Sequence, residues 1–208
     1  MQKIMLWIFV ILAAALPLAA QAREESGLIR TANGYLVVWN EPGNYYTIEI
    51  RGRDIKPIPD HQLWFTIDGK FFQIVTPSTS EFVKAAAGAK IDDRQVLTAH
   101  RDWESDYISQ TLRAKFKVDS TWQKLANGTD ALAWSFDMPK VAEKQTAKRQ
   151  LYLAVVKGDH VLALNTVVET DGEENALWQL LTDTMNRLKP SDKPLSLEKA
   201  SEMVKKGN

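Results

Sequence analysis

The last third of the chain changes from a strand-like to a helix-like pattern of apolar residues. Residues 150–156 and 160–168 are rich in aliphatic and β-branched side chains and are joined through Gly158, which predicts a β-hairpin. Beyond it, apolar residues recur at spacings of three and four, and Asp171 with Glu174 has the spacing of a capping box. We therefore expect an amphipathic helix whose apolar face covers the preceding strands. That face is formed by Ala176, Leu177, Leu180, Leu181, Thr184 and Leu188.

Shorter alternating runs predict further strands nearer the N-terminus. Pro42 and Gly43 fit the centre of a turn between the first two runs, and Asp68-Gly69 is typical of the tight turn in a hairpin. Two prolines in 52–60 exclude a regular element there, so this segment should be an edge or a connection. The runs that predict strands are 35–39, 45–51, 63–67, 71–76, 115–122 and 131–138.

Two helices are expected in the middle of the chain. The first covers 80–87 and stops at Gly88. The second begins at Asp92 or Asp93 and continues to Ile108, with apolar and aromatic residues at spacings of three and four. Its buried face would contain Val96, Ala99, His100, Trp103 and Tyr107. The polar segments predict a loose leader at 23–31, a solvated loop at 141–148, and a linker with a weak helix after residue 188.

This order of elements predicts an α+β fold. Strands, a central helix, further antiparallel strands and a final helix form an α/β/α sandwich with a mostly antiparallel sheet covered by the C-terminal helix. No second hydrophobic core and no repeat is expected. The predicted domain covers 23–188, and 189–208 is a charged tail.

Residues 1–22 have the pattern of a secretory signal peptide. Lys3 supplies the positive start, an apolar body follows, and Ala20 and Ala22 form a small-x-small cleavage site before Arg23. The pattern is of the bacterial type, so the mature chain should be periplasmic or secreted, without stable membrane insertion. The alternative is a retained anchor, for which the apolar run is short.

The amino-acid composition excludes several classes of function and of site. Lys plus Arg and Asp plus Glu both number 26, so the chain carries no net charge and shows no electrostatic pattern for binding nucleic acid. The absence of cysteine excludes disulfides, thiol catalysis and Cys-ligated metals.

One segment resembles a known family. Pro59-Asp60-His61-Gln62 leads into the strand at 63–67, a second strand follows at 71–75, and a later meander at 131–168 runs into the final helix. This arrangement is similar to the PsbP-like fold, shared by the extrinsic photosystem II subunit, the Ran guanine-nucleotide release factor and small exported bacterial proteins. The resemblance implies a binding or assembly domain without a catalytic centre. It does not carry over the release activity.

Catalytic patterns are not found in the sequence. His61, His100 and His160 are far apart, and His100 with Glu104 is too small a set for a zinc site. No nucleophile elbow or phosphate-binding loop occurs, so we assign no catalytic, metal or cofactor-binding residue. The alternative function is a hydrolase assembled from distant residues, for example His61 or His160 with nearby carboxylates.

The tryptophans suggest a binding surface. Most should pack in the core, but Trp178 lies to one side of the apolar helix stripe. Trp178 is therefore the first candidate for contact with a ligand or partner, and His61 is a second. The main hypothesis is an exported, non-enzymatic domain that binds an envelope protein or a small ligand.

Overall fold

The computed structural model describes residues 25–61, 63–84, 91–140 and 145–206. The strands are β1 (Gly27–Thr31), β2 (Gly34–Glu41), β3 (Asn44–Arg51), β4 (Ile55–Pro57), β5 (Trp64–Ile67), β6 (Lys70–Val75), β7 (Val118–Lys124), β8 (Asp130–Asp137), β9 (Arg149–Lys157), β10 (His160–Val168) and β11 (Lys189–Ser191). The helices are α1 (Asp93–Leu112), α2 (Glu174–Met185) and α3 (Leu197–Lys206), and Thr79–Glu81 forms a 3-10 turn.

Two antiparallel sheets form the frame of the described chain. The larger has seven strands in the order β4-β5-β6-β10-β9-β8-β7, and the smaller has four in the order β1-β2-β3-β11. Every pairing between the described strands is antiparallel. The hairpin β9–β10 lies at the centre of the large sheet, so the strands with the longest apolar runs are covered on both sides.

Helices cover the two faces of the large sheet. Alternate residues of β9, such as Tyr152 and Leu153, point to opposite faces. Tyr152 belongs to the cluster that packs against α1 through Val96 and Leu97. Leu153 belongs to the cluster that packs against α2 and the small sheet. The predicted α+β sandwich with an antiparallel sheet and a covering helix is therefore confirmed.

The expectation of a single core is wrong. The described residues form two hydrophobic clusters, one on each face of the large sheet, and the sheet itself separates them. Because both clusters draw on the same strands β8, β9 and β10, they are two layers of packing around one sheet. Leu177 and Leu181 are buried against these strands, as predicted.

Most predicted strands are confirmed, including the two hairpins at 35–51 and 63–76. Pro57 lies on the edge strand β4, where a missing N–H donor is tolerated. Asp68 and Gly69 have φ angles of 50° and 81°, the left-handed values that a tight hairpin turn requires.

Several segments differ from prediction. The expected loose leader contains β1, which pairs with β2, and the expected linker contains β11, which pairs with β3. The first predicted central helix, 80–87, is replaced in the described part by the 3-10 turn, and its residues 85–87 lie outside the described residues. Tyr107 is 62% exposed instead of buried. Ala176 is also exposed, and Met185 is buried on α2 in its place.

The start of α2 also differs from the predicted capping box. Glu173 occupies the position before the helix, and its carboxylate accepts hydrogen bonds from the backbone N–H of Thr170 and from its hydroxyl. Lys70 of β6 pairs with the same carboxylate. Asp171 instead pairs with Lys148 at 2.9 Å. Glu173 thus fixes the connection from β10 to α2 against the neighbouring hairpin.

The predicted signal peptide and its cleavage residues Ala20 and Ala22 lie outside the described residues. Within the described ranges, no helix combines the length and apolarity needed to cross a membrane.

Candidate binding groove between a helix and a sheet edge

A groove with a volume of about 360 Å³ lies between α2 and the outer part of the large sheet. Strand β7 forms one side through Asp119, Thr121 and Gln123, and α2 forms the other through Glu174 and Trp178. The lining also includes Ala133 and Ser135 of β8 and Arg149 of β9.

The sequence of β8 explains why this space is open. Its alternate residues Trp134 and Phe136 face α1, whereas Ala133 and Ser135 face α2. Small side chains on the α2 face leave room that a larger residue would fill. Because α2 contacts β9, β10 and β3, β7 extends beyond the area that this helix covers.

Arg149 contacts polar side chains of three different elements at one end of the groove. Its guanidinium lies 2.9 Å from a carboxylate oxygen of Asp137, 3.2 Å from Asp119 and 3.5 Å from Glu174. It also donates a hydrogen bond of 2.8 Å to the hydroxyl of Ser135. The planar, five-donor geometry of arginine allows one side chain to join β7, β8 and α2 in this way.

Negative charge exceeds positive charge at this end. Lys117 is the second cation there and lies 2.8 Å from Asp119. The hydrogen bond from Lys117, helped by Arg149, lowers the pKa of Asp119, so this carboxylate is ionised at neutral pH. Three carboxylates therefore share the two cations Arg149 and Lys117, and this acidic end favours ligands that carry a cation or hydrogen-bond donors.

Trp178 lines the groove and is neither fully buried nor fully exposed. One part of the ring packs against the core cluster beneath α2, and the indole N–H donates to Glu174 one helical turn earlier at 3.3 Å. This arrangement fixes the ring and leaves part of its surface for an occupant of the groove. The position agrees with what the helix pattern predicts for Trp178, whereas its contact with a partner remains a prediction.

Gln123 provides an unpaired polar group on the opposite wall. Its side-chain nitrogen is buried and has no hydrogen-bond partner in the part of the chain that the structure describes. A buried amide donor without an acceptor is unfavourable by about 1–3 kcal/mol. Rotation of the side chain toward an acceptor on an occupant of the groove would relieve this cost.

His61, the second candidate, lies at the other edge of the large sheet. Its ring stacks on Trp64 with centroids 4.2 Å apart, beside a small cavity of about 70 Å³. Because β4 and β7 are at opposite ends of the strand order, the structure does not bring His61 and Trp178 together.

The other two histidines are buried. His160 lies between Asp159, at 2.8 Å, and Glu41, at 3.5 Å, where the β2–β3 and β9–β10 turns meet. His100 lies on the buried face of α1, and desolvation lowers its pKa to about 4. Glu104, one turn later on α1, has its pKa raised by burial.

Among the described residues, no group of three or more His, Asp or Glu side chains is placed to hold a metal ion. Sequence reasoning proposed Trp178, which lines the groove, but did not propose Arg149, Asp119 or Gln123. The available signal was the small residue at every second position of β8, since such spacing leaves one face of a strand open.

No protein-family model matches the sequence. No curated protein matches it either. Among solved structures, the chain is similar to the solution structure of cyanobacterial PsbP from Synechocystis sp. PCC 6803. The two are 5% identical, the match covers 86% of this chain and 99% of that one, and the TM-score is 0.47. The resemblance found in the sequence is also to the PsbP-like fold.

Proposed function

We propose that the chain is an exported, non-enzymatic binding domain of the cell envelope, and that the groove beside Trp178 is its binding surface. The observation that carries the binding role is the groove itself. It combines a partly exposed tryptophan, an acidic end around Arg149 and an unpaired amide donor at Gln123. Concave sites with an aromatic wall and a few converging polar groups are typical of binding sites.

Export is supported by the signal pattern in residues 1–22 and by the absence of cysteine, which leaves no thiol to oxidise outside the cytoplasm. The test is the mass of the protein recovered from a periplasmic extract. A mature chain that begins at Arg23 is the expected result. Recovery of the uncleaved chain in the membrane fraction would instead support the retained anchor.

The alternative function, a hydrolase, has one observation in its favour. His160 meets two carboxylates, Asp159 and Glu41, as an assembled catalytic group would require. However, each imidazole nitrogen faces one of these carboxylates, and the residue is only 7% exposed. A general base needs a nitrogen within reach of the proton it removes, so this geometry favours a role in joining the two turns.

The binding role is tested by filling the groove. Thr121 is exposed on β7 and lines the groove, so Thr121→Trp adds bulk there without removing core packing. Proteins captured from a periplasmic extract by the mature wild-type chain should be lost with Thr121→Trp and with Trp178→Ala. Tyr107→Ala, on the exposed part of α1, is the matched control and should capture as the wild type does. Equal capture by all four proteins would contradict the proposal.

A further inference from the structure

The edge strands of the two sheets differ in how readily a further strand could pair with them. Strands β4 and β11 have three residues each and contain Pro57 and Pro190, which cannot donate a hydrogen bond to an added strand. β1 has five residues and lies against α3. β7, in contrast, has seven residues, contains no proline and has no further described strand beside it.

The register of the β7–β8 hairpin shows which backbone groups face outward. Leu125 N–H bonds to the carbonyl oxygen of Thr129, and the pairing continues without a break from Lys124↔Asp130 to Val118↔Phe136. In an antiparallel pair, residues alternate between facing the partner strand and facing away from it. The outward-facing backbone groups therefore belong to Val118, Ser120, Trp122 and Lys124.

A groove lies beside β7 on each face of the sheet. The groove beside Trp178 is on the α2 face. On the α1 face, Trp122 and Arg94 line a shallow hollow of about 500 Å³. The Arg94 guanidinium lies 4.8 Å from the centre of the Trp122 ring. A strand added to β7 would place its alternate side chains in these two spaces.

Charge distinguishes between possible occupants of this edge. A second copy of the chain, paired through β7 about a two-fold axis perpendicular to the sheet, would bring its own Asp119 to the α2 face. This would add a carboxylate to a groove end that is already acidic. An extended segment with lysine or arginine on that face would instead complement Asp119 and Glu174.

We propose that β7 binds an extended, basic segment of a partner protein as an added strand, with basic side chains entering the groove beside Trp178. The added backbone would pair with the outward groups of Ser120 and Trp122, and the buried Gln123 amide would turn toward an acceptor in the bound segment. This inference rests on the proposed binding role of the groove and names the class of partner.

The probe is a seven-residue peptide of alternating lysine and valine, blocked at both ends, which matches β7 in length. Binding to the mature chain is measured by fluorescence anisotropy of the labelled peptide. We expect binding that weakens as salt is raised, and at least tenfold weaker binding of the same peptide with glutamate in place of lysine. No binding at about 1 mM peptide would overturn the inference.

Two further peptides test the strand geometry without altering the protein. One is N-methylated at every lysine and the other at every valine, so each loses the hydrogen-bond donors along one edge. In an added strand only one of these edges faces β7. One isomer should therefore bind at least tenfold more weakly than the other. Equal affinities would mean attraction by charge alone and would overturn strand addition.

On the protein side, Ser120→Pro removes an outward N–H while leaving the β7–β8 bonds in place. It should weaken peptide binding at least tenfold. Ser120→Ala is the control, because both variants lose the hydroxyl that accepts a hydrogen bond from Arg101. Unchanged binding by a folded Ser120→Pro protein would also overturn the inference.

The outcomes separate this inference from the proposed function. If Thr121→Trp abolishes partner capture but the two N-methylated peptides bind equally, strand addition fails and the groove remains the binding surface. If Thr121→Trp changes neither partner capture nor peptide binding, the groove itself is not the site. Sedimentation showing a dimer that Ser120→Pro dissociates would assign the edge to a second copy and overturn the basic partner.

Discussion

Arg149 makes the densest set of polar contacts around the groove and links three elements. Replacing it with alanine would leave Asp119, Asp137 and Glu174 close together without their shared cation. We expect Arg149→Ala to lower the free energy of unfolding by about 2 kcal/mol. Arg149→Lys retains the charge but not the planar guanidinium with its several donors, so it should lower the free energy of unfolding by less than Arg149→Ala does. Urea denaturation measures both, and wild-type stability of Arg149→Ala would contradict the assigned role.

The lowered pKa of His100 predicts that the free energy of unfolding depends on pH. Its pKa is about 4 in the folded chain against 6.5 when unfolded, so the unfolded chain takes up the proton first as pH falls. The contribution of His100 to the free energy of unfolding is therefore fully present above pH 6.5 and is lost as pH falls to about 4. For the pKa shift from 6.5 to about 4, the loss is about 3 kcal/mol.

Glu104 acts in the opposite direction, because its raised pKa favours the folded state as pH falls. The measurement is therefore made in a Glu104→Gln background, by denaturation at a series of pH values. His100→Phe in the same background is the control and should show a smaller loss on acidification. Identical pH profiles for the two proteins would contradict the prediction.

At the scale of elements, the turn between β1 and β2 depends on a glycine that has no space for a side chain. Gly34 has φ of 152°, and a Cβ there would lie 2.0 Å from the carbonyl oxygen of Ile50. Gly69 also has a positive φ, but a Cβ there would meet nothing within 4 Å. Gly69→Ala should therefore destabilise by about 1 kcal/mol through backbone strain alone. Gly34→Ala should destabilise by about 3 kcal/mol or more. Thermal unfolding compares the two, and equal losses would contradict the steric argument.

The elements that the sequence predicted well share a local cause. The hairpins around Gly43, Gly69 and Gly158 combine alternating strands with turn residues, so short-range patterns define them. Strand β11 was missed because its sequence is polar and its partner, β3, lies far away in the chain. Strand β1 pairs with the next strand, β2, but only Leu28 and Ile29 of its five residues are large and apolar, so its pattern is weak. The capping of α2 was also missed, since Glu173 is fixed partly by Lys70, which is distant in sequence.

The candidate site was likewise predictable where local patterns define it and not where distant segments meet. The helix pattern alone placed Trp178 beside the apolar face. The role of Arg149 depends on three carboxylates far away in the sequence, and the groove exists because α2 stops short of β7. Long-range geometry of this kind is not encoded in any single motif.

At the scale of the whole molecule, two sheets and their helices bury both faces of the central strands, and among the described residues the long edge at β7 has no further strand beside it. That edge lies beside an acidic groove with a partly exposed tryptophan. The proposed export of the chain would place this surface where envelope proteins or their extended segments could reach it.

Site-specific photo-crosslinking in living cells tests this account most directly. A photoreactive phenylalanine analogue is placed at Thr121, in the groove, and separately at Tyr107, which is exposed on α1. We expect a defined crosslinked partner from position 121, absent from position 107 and lost when Trp178→Ala is added. Equal crosslinking from both positions, or none from position 121, would contradict the assignment of the groove as the binding surface.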